Sequence, residues 1–371
     1  MKPFKIALAN VFVGIYKIFL GRPGSRQSFD KGREFGSIAI FSTTALGDLL
    51  MNTPAIRAIK SRYPEAVITL VSGNRTAGLV RGSPHFDNVV YWDHKAKTMP
   101  RAISALRKFR PQLAVILHSK EPYDVLTAVF SGCEHVFKNI GRDESNGMGK
   151  WLTGTTTHDG GHLIRSKLEL VKLLGCDVAD RTMFVPIPFP RLARPAGRVA
   201  VGFQLGTSQP VRCWPVERFV ELAKKILSCS PLHAIVLVGD SREHEYENAF
   251  LAGLSPDERE RVESYVGKTS LPQLTAVVDS MDVLVTGDTG TMHLAIALKV
   301  RTVSLFVTAD PRQTGPYQDD HLHQVIYVPF KPDDFNPAQR DRPMSVIGCD
   351  EVLEKILIAT AGPVPVERTP A

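Results

Sequence analysis

The chain has 371 residues, of which 43% are apolar and 22% charged, with a formal net charge of +7. These values exclude a disordered chain, and the length suits two domains of ordinary size rather than one. The basic balance favours acidic partners, but no RNA-recognition signature, zinc-finger spacing or long Lys/Arg run accompanies it, so nucleic acid is not expected among them.

Residues 6–20 are mostly apolar, broken by Asn10, Gly14 and Lys17, with Lys2 and Lys5 before them and Arg22 after. A membrane span needs about 20 such residues, and no A-x-A-like cleavage site follows. Helical spacing puts Phe4, Leu8, Val11, Ile15 and Phe19 on one face, with lysines near both ends. That is the pattern of a helix lying in a membrane interface. The alternative is an additional helix packed on the protein. Residues 21–36 are polar and glycine-rich and read as a linker.

From residue 37 the chain alternates short apolar runs with helical spacing. Strands are expected at 37–41, 66–71, 89–91 and 113–117, and helices at 48–63, 76–81 and 101–109. Continuous apolar strands separated by helices indicate a parallel sheet covered on both faces. A proline-rich crossing at 185–195 marks a boundary. The alternation then restarts, with strands at 199–203, 234–238, 283–285 and 302–306. Helices are expected at 216–228, 271–280, 289–298 and 349–360, before a frayed tail. The expected organisation is an extension and linker at 1–35, a first Rossmann-like domain at 36–190, a second at 195–345, and a C-terminal helix and tail at 346–371. Two doubly wound halves would face a cleft, with strand-end loops turned toward it.

Three segments combine residue types suited to chemistry. Thr286-Gly287-Asp288-Thr289-Gly290-Thr291-Met292-His293 follows a strand and opens a helix. Free N–H groups and the positive end of the dipole there suit a phosphate. Thr289 adds a hydroxyl, Gly290 permits close backbone approach, and His293 lies one turn on. An ordinary cap by Asp288 or Thr289 explains the same letters equally well. Leu205-Gly206-Thr207-Ser208-Gln209-Pro210-Val211-Arg212-Cys213-Trp214-Pro215 offers hydroxyls and a guanidinium that can pair with phosphate oxygens. A solvated arginine beside a packing tryptophan is the plainer account. Asp48, in Ala45-Leu46-Gly47-Asp48 after the first strand, is either a helix cap or a general base.

The five cysteines (Cys133, Cys176, Cys213, Cys229 and Cys349) are scattered and form no C-x-x-C pair, which suits reduced thiols. There is no G-x-G-x-x-G, no complete P-loop and no D-x-D. A nicotinamide enzyme and a metal-held nucleotide sugar are therefore not suggested, and no cofactor is expected.

Taken in order, Ala45-Leu46-Gly47-Asp48 with Thr53-Pro54, Arg212-Cys213-Trp214-Pro215, and Asp288-Thr289-Gly290-Thr291-Met292-His293 resemble the bacterial ADP-heptose:lipopolysaccharide heptosyltransferases, glycosyltransferase family 9. Gly267-Lys268-Thr269-Ser270-Leu271, Asp310-Pro311-Arg312 and Gly315-Pro316-Tyr317 add to the resemblance, which runs from about residue 37 to 359. It implies a GT-B architecture and an inverting, metal-independent transfer from an ADP-sugar to a lipopolysaccharide core or other lipid-linked acceptor. It implies a cytoplasmic protein peripheral on the inner face of the inner membrane.

On this resemblance Asp48 is the catalytic base, and Thr207, Ser208 and Arg212 meet the donor phosphates. Thr289 and Gly290 offer backbone contacts to the pyrophosphate, and Asp288 meets a sugar hydroxyl. Glu243 lies where ribose binds, Thr269 lies near the adenine, and His293 is the motif histidine. Closure of the two halves would complete the site. The chain departs from the family pattern at Arg212, where lysine is usual, at Thr286-Gly287, where Ser-Asn is commoner, and in its N-terminal extension. Those departures leave open a transferase of the same fold using another nucleotide hexose. A binding homologue without activity is the non-enzymatic alternative.

Overall fold

In the computed structural model residues 2–21, 23, 29–140, 147–193 and 197–361 are described. Arg22, Pro195, part of the 21–36 linker and the tail from 362 lie outside them. The chain divides into two compact units, Met1–Ile187 and Pro188–Ala371.

The first unit runs α1 (Lys2–Leu20), β1 (Ser37–Ser42), α2 (Leu46–Arg62), β2 (Val67–Ser72), β3 (Asn88–Tyr91), α3 (Met99–Arg107), β4 (Leu113–His118), α4 (Tyr123–Phe130), β5 (His135–Ile140), β6 (Gly154–Thr157) and α5 (Leu163–Lys172). Its strands form one sheet in the order β3-β2-β1-β4-β5-β6, and every neighbouring pair is parallel. The apolar runs explain this. Ile38, Ala39, Ile40 and Phe41 are all buried, as are Ala114, Val115 and Ile116 beside them, so these strands need helices on both faces. The short helix expected at 76–81 is a 3₁₀ helix and lies at Asn74–Leu79.

Helix α2 is buried almost all round and carries Pro54 in its interior. A proline there has no N–H for the carbonyl four residues back, which is that of Leu50. The Thr53 hydroxyl donates to the Leu50 carbonyl at 2.7 Å, so the Thr53-Pro54 pair supplies its own repair. Asn52 ties the helix to the end of β1 by donating to Ser42 Oγ at 2.9 Å.

Helix α1 divides its faces between two environments. Ala9 and Val13 are buried, Tyr16 stacks edge-on against Phe130, and Asn10 Oδ1 accepts from Trp151 Nε1 at 2.6 Å. A side chain at Gly14 would meet the Trp151 ring at 3.7 Å. Two of the three residues that interrupt the apolar run, Asn10 and Gly14, are thus contact points with the rest of the unit. The opposite face leaves Phe4 74%, Val11 57%, Ile15 49% and Phe19 80% exposed, with Leu8, Phe12 and Ile18 beside them. Among the described residues no helix is long and apolar enough to cross a membrane.

The second unit runs β7 (Val199–Gln204), α6 (Val216–Cys229), β8 (His233–Val238), α7 (His244–Ala252), α8 (Pro256–Arg259), β9 (Val262–Ser264), α9 (Leu271–Asp279), β10 (Val283–Gly287), α10 (Gly290–Ala297), β11 (Arg301–Phe306), α11 (Pro311–Thr314), β12 (His323–Tyr327), α12 (Pro337–Asp341) and α13 (Cys349–Ala361). Its parallel sheet has the order β12-β11-β10-β7-β8-β9. Counted from its own first strand, this is the same order as in the first unit. Each unit is therefore a doubly wound Rossmann-like sheet, as expected, with its topological switch between the first and fourth strands. Ligands bind outside the carboxyl ends of strands at such a point. The core beneath it includes Trp214, buried against Phe219, its indole N–H donating to the Ile347 carbonyl at 3.1 Å.

Candidate active site

In the second unit the switch point lies between β7 and β10, and the two suggestive loops of that half leave from these strands. They come close because Gly287 has no side chain: a Cβ there would stand 3.1 Å from the Arg212 carbonyl oxygen and 3.5 Å from Thr207 Cγ2. Arg212 Nη1 donates to Asp288 Oδ2 at 2.9 Å, so a cation from one loop is held by a carboxylate from the other. The Nε of Arg212 is buried without a partner among the described residues. His293 is buried behind Asp288, its Nε2 4.0 Å from Oδ1.

Thr289 is the N-cap of α10. Its hydroxyl accepts from Met292 N at 3.2 Å and meets Thr286 Oγ1 at 2.9 Å. The capping account of this threonine is therefore realised, and its hydroxyl is already engaged. The first N–H groups of the helix, from Gly290 onward, have no partner within the helix. Thr207 folds over its own loop, donating to the Gln209 carbonyl at 2.6 Å. Ser208 is exposed beside it.

Glu243 follows β8 and turns back toward β7. Its carboxylate accepts from Gln204 Nε2 at 2.7 and 2.8 Å, from Gly206 N at 2.9 Å and from Asp240 N at 3.3 Å. A Cβ at Gly206 or Gly239 would lie 2.7 or 2.6 Å from that carboxylate, so a side chain at either position would displace Glu243. Burial raises the Glu243 pKa above the usual carboxylate range, against the lowering effect of these hydrogen bonds. Gln204 in turn accepts from Thr291 Oγ1 at 2.8 Å, joining the Glu243 loop to the first turn of α10. Thr269 stands just before α9, two residues after Gly267, whose N–H donates to the Gly239 carbonyl at 2.9 Å. The nine donor-side positions expected from sequence therefore gather on the loops at the carboxyl end of one sheet. Gln204 and Thr291 complete the network and were not singled out. Thr291 sits inside the quoted motif, but Gln204 is hidden at the end of an apolar strand.

Asp48 belongs to the first unit. It is the third residue of α2, not its N-cap. Its Oδ2 accepts from Ala45 N at 3.1 Å, and its Oδ1 stands 3.2 Å from His118 Nδ1 at the end of β4. Strands β1 and β4 are neighbours at the switch point, which is why residues seventy positions apart meet. Burial lowers the His118 pKa while Asp48 opposes that shift. Lys167 of α5 is buried nearby. Desolvation pushes it down to about 8, with Asp48 opposing and Lys138 adding to the shift. His118 and Lys167 carry no local motif, and only the fold reveals them.

A family model for glycosyltransferase family 9 (heptosyltransferase) matches residues 179–331. The chain is 26% identical over 316 residues to lipopolysaccharide heptosyltransferase 2 of Salmonella typhimurium, covering 78% of this chain and 87% of that protein. Its fold matches the structure of E. coli ADP-heptose lps heptosyltransferase II with a TM-score of 0.70 at 21% identity, over 88% of this chain and 98% of that one. E. coli heptosyltransferase WaaC, solved with ADP-2-deoxy-2-fluoro heptose, matches with a TM-score of 0.64 at 19% identity, over 86% and 98%. These sequence matches are to heptosyltransferases of glycosyltransferase family 9, and with them the chain is read as a glycosyltransferase.

Proposed function

We propose that the enzyme transfers heptose from ADP-heptose to a lipopolysaccharide core acceptor, by an inverting displacement that needs no metal ion. The observation that carries this reading is the Arg212–Asp288 pair at the start of α10. It presents a guanidinium with a spare N–H, a carboxylate and a helix N-terminus at the carboxyl end of one sheet. Such a group of charges suits a departing diphosphate and the sugar attached to it. Glu243, pre-oriented by three N–H donors, takes the ribose hydroxyls, and Thr269 borders the adenine. The WaaC structure with an ADP-sugar analogue supports this choice of donor. In the transfer, Asp48 accepts the proton of an acceptor hydroxyl as that oxygen bonds to the anomeric carbon. The bond from that carbon to the diphosphate breaks, and ADP leaves with the electron pair. ADP-heptose incubated with the enzyme and defined truncated lipopolysaccharides should add one heptose, read by mass. ADP should raise the melting temperature where UDP and GDP do not. A larger shift with UDP or GDP would instead favour another nucleotide hexose.

The same reading places the enzyme at the cytoplasmic face of the inner membrane, with α1 lying in the interface. Support comes from its continuous apolar face, formed by Phe4, Leu8, Val11, Phe12, Ile15, Ile18 and Phe19, with Lys5 and Lys17 on the same helix. That arrangement suits an anionic lipid surface. The double substitution Phe12→Glu with Ile15→Glu should abolish co-sedimentation with phosphatidylglycerol vesicles and leave the melting temperature unchanged, since both side chains are exposed. Undiminished co-sedimentation would refute this role for α1.

A further inference from the structure

A cavity of about 350 Å³ lies at the amino ends of β4 and β5, away from Asp48, where α3 and α4 also end. No residue of the proposed reaction lines it. Its polar lining comes from Arg107, Arg110, Gln112, Ser131 and Glu134, and its size suits a small polar head group. Three of these groups are answered within the protein. Glu134 is paired with Arg33, Gln112 Oε1 accepts from Gly36 N at 2.7 Å, and the Ser131 hydroxyl donates to the Thr127 carbonyl at 2.6 Å.

The two arginines are not answered in this way. Among the described residues no carboxylate lies within ion-pair distance of either. Arg107 Nε donates to the Phe130 carbonyl at 2.9 Å, which orients the guanidinium and leaves its Nη atoms for another partner. A cation at a helix end often does no more than meet the last carbonyls, and the Nε contact of Arg107 is of that kind. Arg110 is different. It follows the end of α3 with φ +49°, a backbone region that helix ends usually fill with glycine or asparagine, and its guanidinium bonds to no described residue. From Arg101 to Arg110 the chain carries four cations and no carboxylate. Phe130 joins this basic cavity to α1. Its carbonyl holds Arg107, and its ring packs edge-on against Tyr16 at 5.1 Å. Just past Tyr16, Ile18 and Phe19 are 82% and 80% exposed.

We infer that this cavity binds the phosphodiester head group of an anionic phospholipid, held between Arg107 and Arg110. The inference deepens the membrane reading of α1 and rests on it. A planar guanidinium fork matches two oxygens of a phosphate. The acyl chains of a lipid held there would run beside Ile18 and Phe19. The two features divide the work. The apolar face of α1 attaches to any bilayer, whereas the cavity selects an anionic leaflet, since a zwitterionic head group brings no net charge to meet the arginines. A second point of attachment also fixes how the first unit is rotated on the membrane, which one helix alone does not do.

The test is a calorimetric titration of the full-length protein with dihexanoyl phosphatidylglycerol below its micellar concentration, so that no bilayer is present. Saturating ADP fills the donor phosphate site. Phosphatidylglycerol should bind, and dihexanoyl phosphatidylcholine and inorganic phosphate should bind more weakly. Arg107→Gln and Arg110→Gly should each weaken phosphatidylglycerol by about tenfold or more, the effect of losing a charge-assisted hydrogen bond. Arg110→Gly should do so without lowering the melting temperature, because glycine accepts the left-handed backbone. Lys108→Gln removes a neighbouring exposed cation that does not line the cavity, and it should leave the affinity unchanged. Equal losses in all three variants would indicate diffuse attraction and overturn the inference. Affinity unchanged in both arginine variants would also overturn it, as would either comparison probe binding as tightly as phosphatidylglycerol. The α1 variant Phe12→Glu with Ile15→Glu separates the two readings, since it should still bind the monomeric lipid while losing vesicles. Vesicle binding that survives in it counts against α1, whereas the monomer titration judges the cavity.

Discussion

Replacing Asp48 by asparagine is expected to lower the transfer rate roughly a thousandfold, within the range for losing a general base, while ADP binding stays intact. The substitution keeps the shape of the side chain and an oxygen to accept from Ala45 N. It removes the negative charge that faces His118 and Lys167, and with it the capacity to take a proton. Asp48→Ala should be as inactive. It should also lose some stability, because the N–H of Ala45 would then lack its acceptor at the helix start. Comparing the two separates chemistry from folding: the rate should fall alike, while melting should fall more for alanine. Because Asp48 lies in the unit without the proposed nucleotide residues, ADP titrations of both variants should match wild type. Unchanged turnover in Asp48→Asn would remove Asp48 from the mechanism. His118 acts only through Asp48 in this scheme and is a positioning residue. Its replacement should cost less than that of Asp48 itself.

The second large effect is expected at Arg212. Arg212→Met should weaken ADP binding by about one to two orders of magnitude, as expected for a lost charge-assisted contact worth ~1.5–3 kcal/mol. Part of any loss would come from Asp288, left without its 2.9 Å partner. The double-mutant cycle with Asp288→Asn resolves this. If Arg212 meets the diphosphate directly, Arg212→Met should still weaken ADP binding in the Asp288→Asn background. If it only holds Asp288, the second substitution should add nothing. Arg212→Lys keeps the charge but loses the planar fork and should fall between wild type and Arg212→Met. ADP affinity unaltered in Arg212→Met would exclude the guanidinium from the donor site.

The central strands of both sheets were legible because they are unbroken apolar runs: residues 37–41, 113–117 and 283–285 appear within β1, β4 and β10. The edges were harder to read. β6 is Gly-Thr-Thr-Thr, β9 is Val-Glu-Ser and β12 is His-Gln-Val-Ile-Tyr. Half-exposed strands need no continuous apolar run, so their composition resembles that of loops. β5 went unread for a related reason: Lys138 and Asn139 interrupt it. α7 is similarly masked by its charged residues. Thr53-Pro54 contributed to the family resemblance, and its local cause, a hydroxyl that meets an orphaned carbonyl, emerges only from the coordinates. The candidate site divides in the same way. Loops with an unusual cluster of small and charged residues stood out as letters. The Asp48–His118 contact and the Gln204–Glu243 contact depend on which strands lie side by side, and no local pattern carries that information.

The two-sided packing of α1 has a practical consequence for preparing the protein. Deleting it to improve behaviour in solution would remove exposed apolar surface, but it would also uncover Phe130, Trp151 and the surface that covers Ala9 and Val13. The shortened chain would exchange one sticky face for another. Charged replacements on the outward face, or a mild detergent during extraction, keep the inner face seated.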